Sequence, residues 1–143
     1  MITVLDIETT FTKEGDPSPF NPDNRLVSVG INDEYYFFYH SDLFEKSIAI
    51  DNKKSVQDIL DKSELVIGHN LKFDMSWLYQ CGFTYKGKLY DTMLGEYIIN
   101  RGEKKSVSLK ESCKRRSISL KSDILSTYMN EGYGIDEIPM PKL

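Results

Sequence analysis

The chain has 143 residues, of which 40% are apolar and 28% are charged, a composition typical of a soluble globular domain that excludes a disordered or collagenous chain. Its 18 basic and 22 acidic side chains give a formal net charge of −4, and its length favours a single domain over residues 1–143. It has no run of about 18 apolar residues, no signal-peptide pattern and only two well-separated cysteines, which predicts a cytoplasmic protein with no membrane partner.

Three β-prone segments occupy the first part of the chain. They are Ile2–Ile7, Arg25–Ile31 and Tyr35–Tyr39, and each is rich in apolar, β-branched or aromatic residues. Residues 12–24 are rich in proline and asparagine, which predicts a loop after the first strand. Asn32-Asp33 predicts a turn, so we expect the three strands to form an antiparallel meander.

A further strand and several helices are predicted later in the chain. Leu65-Val66-Ile67 indicates a buried strand that ends at Gly68. Apolar residues at helical spacing predict helices, one of which presents Leu94, Tyr97 and Ile98. The predicted helices are Lys54–Lys62, Asp74–Cys81, Asp91 to about Asn100, and shorter ones around 107–116 and 122–131. This order predicts an α/β domain whose mixed sheet has three antiparallel strands followed by βα units, flanked by helices.

Two acidic residues alternate with apolar ones on the first strand. Because successive strand side chains point to opposite faces, Asp6 and Glu8 share one face if Leu5 and Ile7 face the core. Two like charges held together in a partly dry site raise each other's pKa, and a divalent metal ion offsets that cost. On an edge strand the same acids would point into water, so this pattern alone leaves both interpretations open.

The segment Gly68–Asp74 carries the next polar side chains. It is predicted to turn from a strand into a helix that opens at Asp74, where the helix N-terminus favours a charged carboxylate. An acid at this position is also a common helix cap. Since α/β sheets form ligand sites beyond their strand ends, Asp74 is a candidate to face the acids of the first strand. Asn70 suits contact with a sugar or phosphate, whereas His69 is assigned no catalytic role.

Basic residues are concentrated in residues 101–121, which carry eight basic and two acidic side chains. A basic stretch on an otherwise acidic chain suits a partner with a phosphate backbone. It is equally typical of a solvated helix face, so the pattern does not decide whether this stretch contacts nucleic acid.

Four segments carry a resemblance that none of them carries alone. They are Val4–Thr10, Gly68–Asp74, Tyr90–Leu94 and Ser108–Cys113. In order, they resemble the first and second exonuclease motifs, the helix start that follows and a later serine-leucine segment of the 3′–5′ proofreading domain of family A DNA polymerases. The resemblance covers nearly the whole chain, and the short N-terminus suggests a bacteriophage polymerase located in the host cytoplasm.

This resemblance implies a ribonuclease H-like fold and metal-dependent removal of nucleotides from the 3′ end of single-stranded DNA. Asp6 would bridge two divalent cations, Mg²⁺ or Mn²⁺, and Glu8 would hold one of them. Asp74 would hold or orient the second ion, while Thr9 and Asn70 would contact the terminal nucleotide. Two ions about 4 Å apart lower the pKa of an attacking water and stabilise the leaving oxygen.

The third motif of this family, a helical tyrosine followed by an aspartate four residues later, is missing. No tyrosine after Asp91 has an aspartate at that spacing, and Asp136 and Glu137 fall in a predicted loop. The domain is therefore expected to be C-terminally incomplete, with the third motif and a polymerase domain supplied by a second segment or polypeptide. The isolated chain is expected to be weakly active or inactive, because its carboxylates are under-compensated.

Two alternatives stay open. The first is a catalytically inactive remnant that kept the fold and binds or scaffolds nucleic acid. The second is a folded domain whose acids have no common role. Restored hydrolysis on adding the adjacent segment favours the nuclease, and metal-independent DNA binding favours the remnant. A wide separation of Asp6, Glu8 and Asp74 favours the last alternative.

Overall fold

A five-stranded mixed sheet organises the part of the chain that the computed structural model describes, which is residues 1–40, 46–119 and 124–139. Its strands are β1 (Ile2–Thr9), β2 (Leu26–Ile31), β3 (Glu34–Phe37), β4 (Leu65–Gly68) and β5 (Lys88–Asp91). They lie in the order β3-β2-β1-β4-β5. The β1–β2 and β2–β3 pairs are antiparallel and the β1–β4 and β4–β5 pairs are parallel, which confirms the predicted mixed sheet.

Helices accompany the sheet along the described part of the chain. They are α1 (Lys46–Lys62), α2 (Leu71–Gln80), α3 (Thr92–Ile99), α4 (Leu109–Arg115), α5 (Ile124–Asn130) and one 3-10 turn, Ile135–Glu137. The short helices predicted around 107–116 and 122–131 are confirmed, although residues 122 and 123 lie outside the described residues. Among the helices described, none has the length and apolar character needed to cross a membrane.

The main core lies between one face of the sheet and the helices α1 and α2. On β1, Thr3, Leu5 and Ile7 are buried, while the residues between them are exposed or half-buried, as the two-residue period of a strand requires. Both helices contribute buried apolar residues to this core. They are Val56, Leu60, Leu71, Met75, Trp77 and Leu78.

Strand β5 is an element that the sequence analysis does not predict. Three of its four residues are exposed and Asp91 is half-buried, so no alternation of buried and exposed side chains marks the strand. It forms because its backbone pairs with β4, where Lys88 lies opposite Leu65 and Asp91 lies opposite Gly68. This pairing brings Asp91 beside the end of β4.

Two helices begin earlier than predicted. Helix α1 starts at Lys46 rather than at Lys54, and residues 48–53 of the added part are exposed or half-buried, so no apolar stripe indicates them. Helix α2 starts at Leu71 rather than at Asp74, because a carboxylate on β5 accepts a hydrogen bond from the N–H of Leu71. Asp74 therefore lies in the first turn of α2 and does not cap it.

Helix α3 exposes its apolar stripe to solvent. Leu94, Tyr97 and Ile98 are 56%, 64% and 72% exposed. The residue that α3 buries is Glu96, whose carboxylate forms ion pairs with Arg115 and Arg116 at the end of α4. Ionic contacts therefore join α3 to α4, and the apolar side of α3 is exposed in the part of the chain that the structure describes.

We expect Leu78→Ala to lower the free energy of unfolding by about 2–5 kcal/mol, because Leu78 is fully buried and its truncation leaves a cavity. The matched change Ile98→Ala should alter the same quantity by less than about 0.5 kcal/mol, because Ile98 is exposed. Urea denaturation of both variants measures the difference. A loss at Ile98 as large as the loss at Leu78 would contradict the exposed position of α3.

Candidate functional site

Strand β1 presents Asp6 and Glu8 on the face opposite the main core. Leu5 and Ile7 are 2% and 7% exposed, whereas Asp6 is exposed and Glu8 is half-buried. The predicted alternation is therefore confirmed. Because β1 lies between β2 and β4, it is not an edge strand of the sheet, although its pairing with β4 ends at Val4.

Asp74 is a carboxylate that the fold buries. It is 4% exposed, and its side chain accepts backbone hydrogen bonds from its own N–H and from the N–H of Ile7 on β1. Burial and the like charge of Asp6 raise the pKa of Asp74 from 3.8 to about 7, against the opposing effect of those hydrogen bonds. Asp91 adds a smaller increase. The structure thus brings Asp6 and Asp74 into electrostatic contact.

Gly68 lets the turn between β4 and α2 pass close to β1. A Cβ atom at this position would lie 2.6 Å from Leu71 Cδ1 and 3.0 Å from the backbone oxygen of Leu5. Asn70 lies two residues after Gly68 and has a φ of 62°, a left-handed conformation that asparagine tolerates. Helix α2 begins directly after Asn70. These two residues direct the first turn of α2, with Asp74, toward β1.

Thr9 and Asn70, the residues predicted to contact a terminal nucleotide, lie three residues after Asp6 and four residues before Asp74 in the chain. Thr9 ends β1 at a β-bulge that begins at Glu8, and it is 6% exposed. Asn70 is exposed, and its side chain makes no capping hydrogen bond to α2. Neither position tests contact with a nucleotide, so the role of both residues stays a prediction.

Asp91 connects the starts of two helices. Its Oδ1 accepts hydrogen bonds from the N–H of Met93 at 2.8 Å and of Asn70 at 3.0 Å, and its Oδ2 accepts one from the N–H of Leu71 at 2.9 Å. The bond to Met93 makes Asp91 the N-terminal cap of α3. The other two join residues 21 and 20 positions apart, and no local sequence signal indicates them.

His69 is held by the start of α3. Its Nδ1 lies 2.9 Å from Thr92 Oγ1, and that hydroxyl donates to the carbonyl oxygen of Gly68 at 3.1 Å. Since the hydroxyl has one proton to donate, it accepts from Nδ1 of His69. The ring is therefore a structural link between β4 and α3.

The donor atoms of Asp6 and Asp74 suit a hard divalent cation. Carboxylate oxygens are the ligands that Mg²⁺ and Mn²⁺ prefer, and a partly buried pair of like charges requires a positive partner. Within residues 1–40, 46–119 and 124–139, no three or more His, Cys, Asp and Glu side chains are grouped so that they could hold a metal ion. Asp6 therefore lies near enough to Asp74 to raise its pKa, but the described residues do not form a complete set of ligands.

The basic stretch of residues 101–121 is partly used within the fold. Its lysine and arginine side chains are exposed as far as the structure describes them, to residue 119. Arg115 and Arg116 both pair with Glu96 of α3, and Lys105 pairs with Glu103. These contacts explain part of the charge, and contact with DNA stays a prediction.

A five-stranded mixed sheet with acids at the end of its central strand places the chain among ribonuclease H-like α/β domains. A family model described as 3′-5′ exonuclease, for family A DNA polymerases, matches residues 8–130. This match covers most of the chain, and the chain belongs to that exonuclease family.

A curated relative agrees with this assignment. The DNA polymerase I of Aquifex aeolicus is 32% identical to the chain over 80 residues, which is 52% of this chain and 12% of the relative. The match thus spans about an eighth of the relative's length. Because the relative is bacterial, it gives no support to a bacteriophage source, and neither comparison supports the expectation that the chain is truncated.

We expect the stability of the metal-free chain to fall as the pH rises from about 4 to about 7, because the Asp74 carboxyl, with its pKa raised to about 7, holds its proton more tightly when folded. The full cost, reached above the folded pKa, is about 4 kcal/mol. Asp74→Asn removes this cost, so it should be more stable than the wild type at pH 8 and should lose the dependence between pH 4 and 7. Thermal unfolding with a chelator measures both.

The matched control is Asp58→Asn, which makes the same chemical change at an exposed position of α1. Its stability should follow the wild-type pH profile. If the stability of Asp74→Asn also depended on pH as that of the wild type does, the Asp74 carboxyl would not be the group whose deprotonation destabilises the fold.

Proposed function

We propose that the chain acts as a metal-dependent 3′–5′ exonuclease domain, which removes nucleotides from single-stranded 3′ ends of DNA and proofreads for a DNA polymerase. The observation that carries this proposal is the buried carboxylate of Asp74, whose pKa the nearby charge of Asp6 raises. Keeping both acids ionised costs free energy unless a cation binds between them. Membership of the exonuclease family supports the class of reaction.

The proposed cofactors are two divalent cations, Mg²⁺ or Mn²⁺. Asp6 would bridge both ions, Glu8 would hold one, and Asp74 would hold or orient the other. The position of Glu8 supports this, because it lies one strand period beyond Asp6 on the same face of β1. When bound, such ions lower the pKa of an attacking water and stabilise the leaving oxygen of an in-line displacement.

The chain's own residues fix the ligands before a substrate arrives. The backbone N–H of Ile7 donates toward the carboxylate of Asp74 and lowers its pKa, against the effect of burial. Thr9 and Asn70 would hold the terminal nucleotide through backbone or side-chain groups, since phosphate and sugar contacts position a nucleic acid without reading its sequence. A single-stranded end suits this site, because a paired end must first be unwound.

We further propose that a second segment or polypeptide supplies the third exonuclease motif, together with the polymerase domain. Uncovered apolar surface beside the acids supports a packing partner. Ile2 and Val4, which share a face of β1 with Asp6, are 60% and 52% exposed. A separate groove of about 410 Å³ lies between α2, β5 and α3, on the other face of the sheet. Its apolar lining is Leu71, Met75, Tyr79, Leu89 and Leu94.

We expect Mn²⁺ to bind the wild-type chain at pH 8, and Asp6→Asn and Asp74→Asn each to weaken binding by at least about tenfold. The reason is that each change replaces a charged carboxylate ligand by a neutral amide of nearly the same size. Isothermal titration calorimetry measures the affinities, and Asp58→Asn, exposed on α1, should bind as the wild type does. Equal affinities in all four proteins would refute a metal site at Asp6 and Asp74.

We expect slow shortening of a 5′-labelled single-stranded DNA from its 3′ end in the presence of Mn²⁺, and none with Asp6→Ala or a chelator. Gel electrophoresis of the products measures the rate, which should rise when a polypeptide carrying the third motif is added. Equal shortening by Asp6→Ala would contradict the nuclease. Rapid turnover by the chain alone would contradict the need for a second segment. DNA binding without metal dependence or hydrolysis would identify an inactive binding remnant.

A further inference from the structure

The carboxylate of Asp91 serves two helices that start at different points of the sheet. Both of its oxygens are used, and together they accept three backbone hydrogen bonds of 2.8–3.0 Å. One bond goes to Met93 in the first turn of α3, and the other two go to Asn70 and Leu71 at the start of α2. A residue that only capped α3 would need only the hydrogen bond from Met93.

Helix α2 has no cap of its own, which is why these bonds matter. The first N–H groups of a helix lack partners within the helix, and a side chain at the residue before it normally accepts from one of them. In α2 that residue is Asn70, whose left-handed backbone is accompanied by no side-chain capping bond. The missing acceptor comes from Asp91, and its negative charge also suits the N-terminal end of the helix dipole.

The start of α2 is also the part of the helix that carries Asp74. This residue lies three positions after Leu71, within the first helical turn. Its carboxylate reaches across to the backbone N–H of Ile7 on β1, so its position depends on where that turn is held. A helix whose first turn frays would lose the contact between Asp74 and β1, since the end of a helix is its least stable part.

We propose that Asp91 is a positioning residue of the carboxylate site: by binding the N–H groups of Asn70 and Leu71, it holds the first turn of α2 so that Asp74 faces β1. Asp91 does not contact the metal or the substrate in this role. The consequence for metal binding rests on the proposed function, whereas the positioning itself does not.

The parallel register of the sheet explains how Asp91 can do this. Asp91 is the last residue of β5 and lies opposite Gly68, the last residue of β4. The turn from β4 into α2 therefore begins beside the Asp91 side chain. The same junction is tied a second time by Thr92, whose hydroxyl donates to the carbonyl oxygen of Gly68.

The test is amide hydrogen exchange, measured by NMR, in Asp91→Ala and Asp91→Asn. In Asp91→Ala we expect faster exchange at Asn70, Leu71 and Met93, and also at Ile7, whose N–H is bonded to Asp74 rather than to Asp91. Asp91→Asn keeps one acceptor oxygen, so it should show a smaller effect at Ile7. Exchange rates are compared with those of β2 amides, which report any general loss of stability.

The matched control is Ser108→Ala, which removes the side-chain cap of α4 and leaves α2 untouched. It should raise exchange at Glu111 and leave Ile7 at its wild-type rate. Wild-type exchange at Ile7 in Asp91→Ala would overturn the proposal, because Asp91 would then be a local cap only. If Asp91→Ala does not fold, the same result in Asp91→Asn overturns it.

A second measurement separates this inference from the proposed function. We expect Asp91→Ala to weaken Mn²⁺ binding by about tenfold or more, the loss typical of residues that orient metal ligands. Ser108→Ala should keep the wild-type affinity. A wild-type chain that binds no Mn²⁺ would refute the metal site, and the exchange at Ile7 would still decide the role of Asp91. If the wild-type chain binds Mn²⁺ and Asp91→Ala binds it equally well, Asp91 does not position Asp74 for metal binding.

Discussion

The repulsion between Asp6 and Asp74 is the interaction on which the proposed site depends. Asp74 is buried, so its negative charge loses hydration, and the charge of Asp6 lies close enough to raise its pKa further. Two backbone N–H groups lower this cost without cancelling it. The rest of the fold must therefore offset an unfavourable pair, and a bound cation would remove the penalty and couple ion binding to folding.

The mixed sheet determines where this pair lies. Antiparallel pairing with β2 extends along β1 as far as Thr9, whereas parallel pairing with β4 ends at Val4. The free side of β1 beyond Val4 is where the N–H of Ile7 meets Asp74. Because β4 and β5 run parallel to β1, the C-terminal ends of these three strands lie at the same end of the sheet. The turn from β4 into α2 and the side chain of Asp91 both lie at this end.

Local sequence signals predicted part of this arrangement. The alternation of Leu5 to Glu8 gave the face of the acids correctly. Strand β5 was missed because it is exposed and its pairing with β4 is a long-range contact without a periodic pattern. The start of α2 was misplaced for a related reason, since its cap comes from Asp91, 20 residues further along the chain. No local sequence signal could show how close Asp6 and Asp74 lie, because the two residues are 68 positions apart in the chain and only the fold brings them together.

Helix α3 has a consequence for how the chain behaves in dilute buffer. Four of its eight residues are exposed apolar side chains that form a ridge: Leu94, Tyr97, Ile98 and Ile99. Such ridges attract one another, adsorb to plastic and to reversed-phase resin, and bind dyes that fluoresce in oily surroundings. A low protein concentration and a mild detergent would prevent self-association through this ridge. The apparent size of the chain would then be that of a monomer, and measurements on Asp6 and Asp74 would describe the monomer.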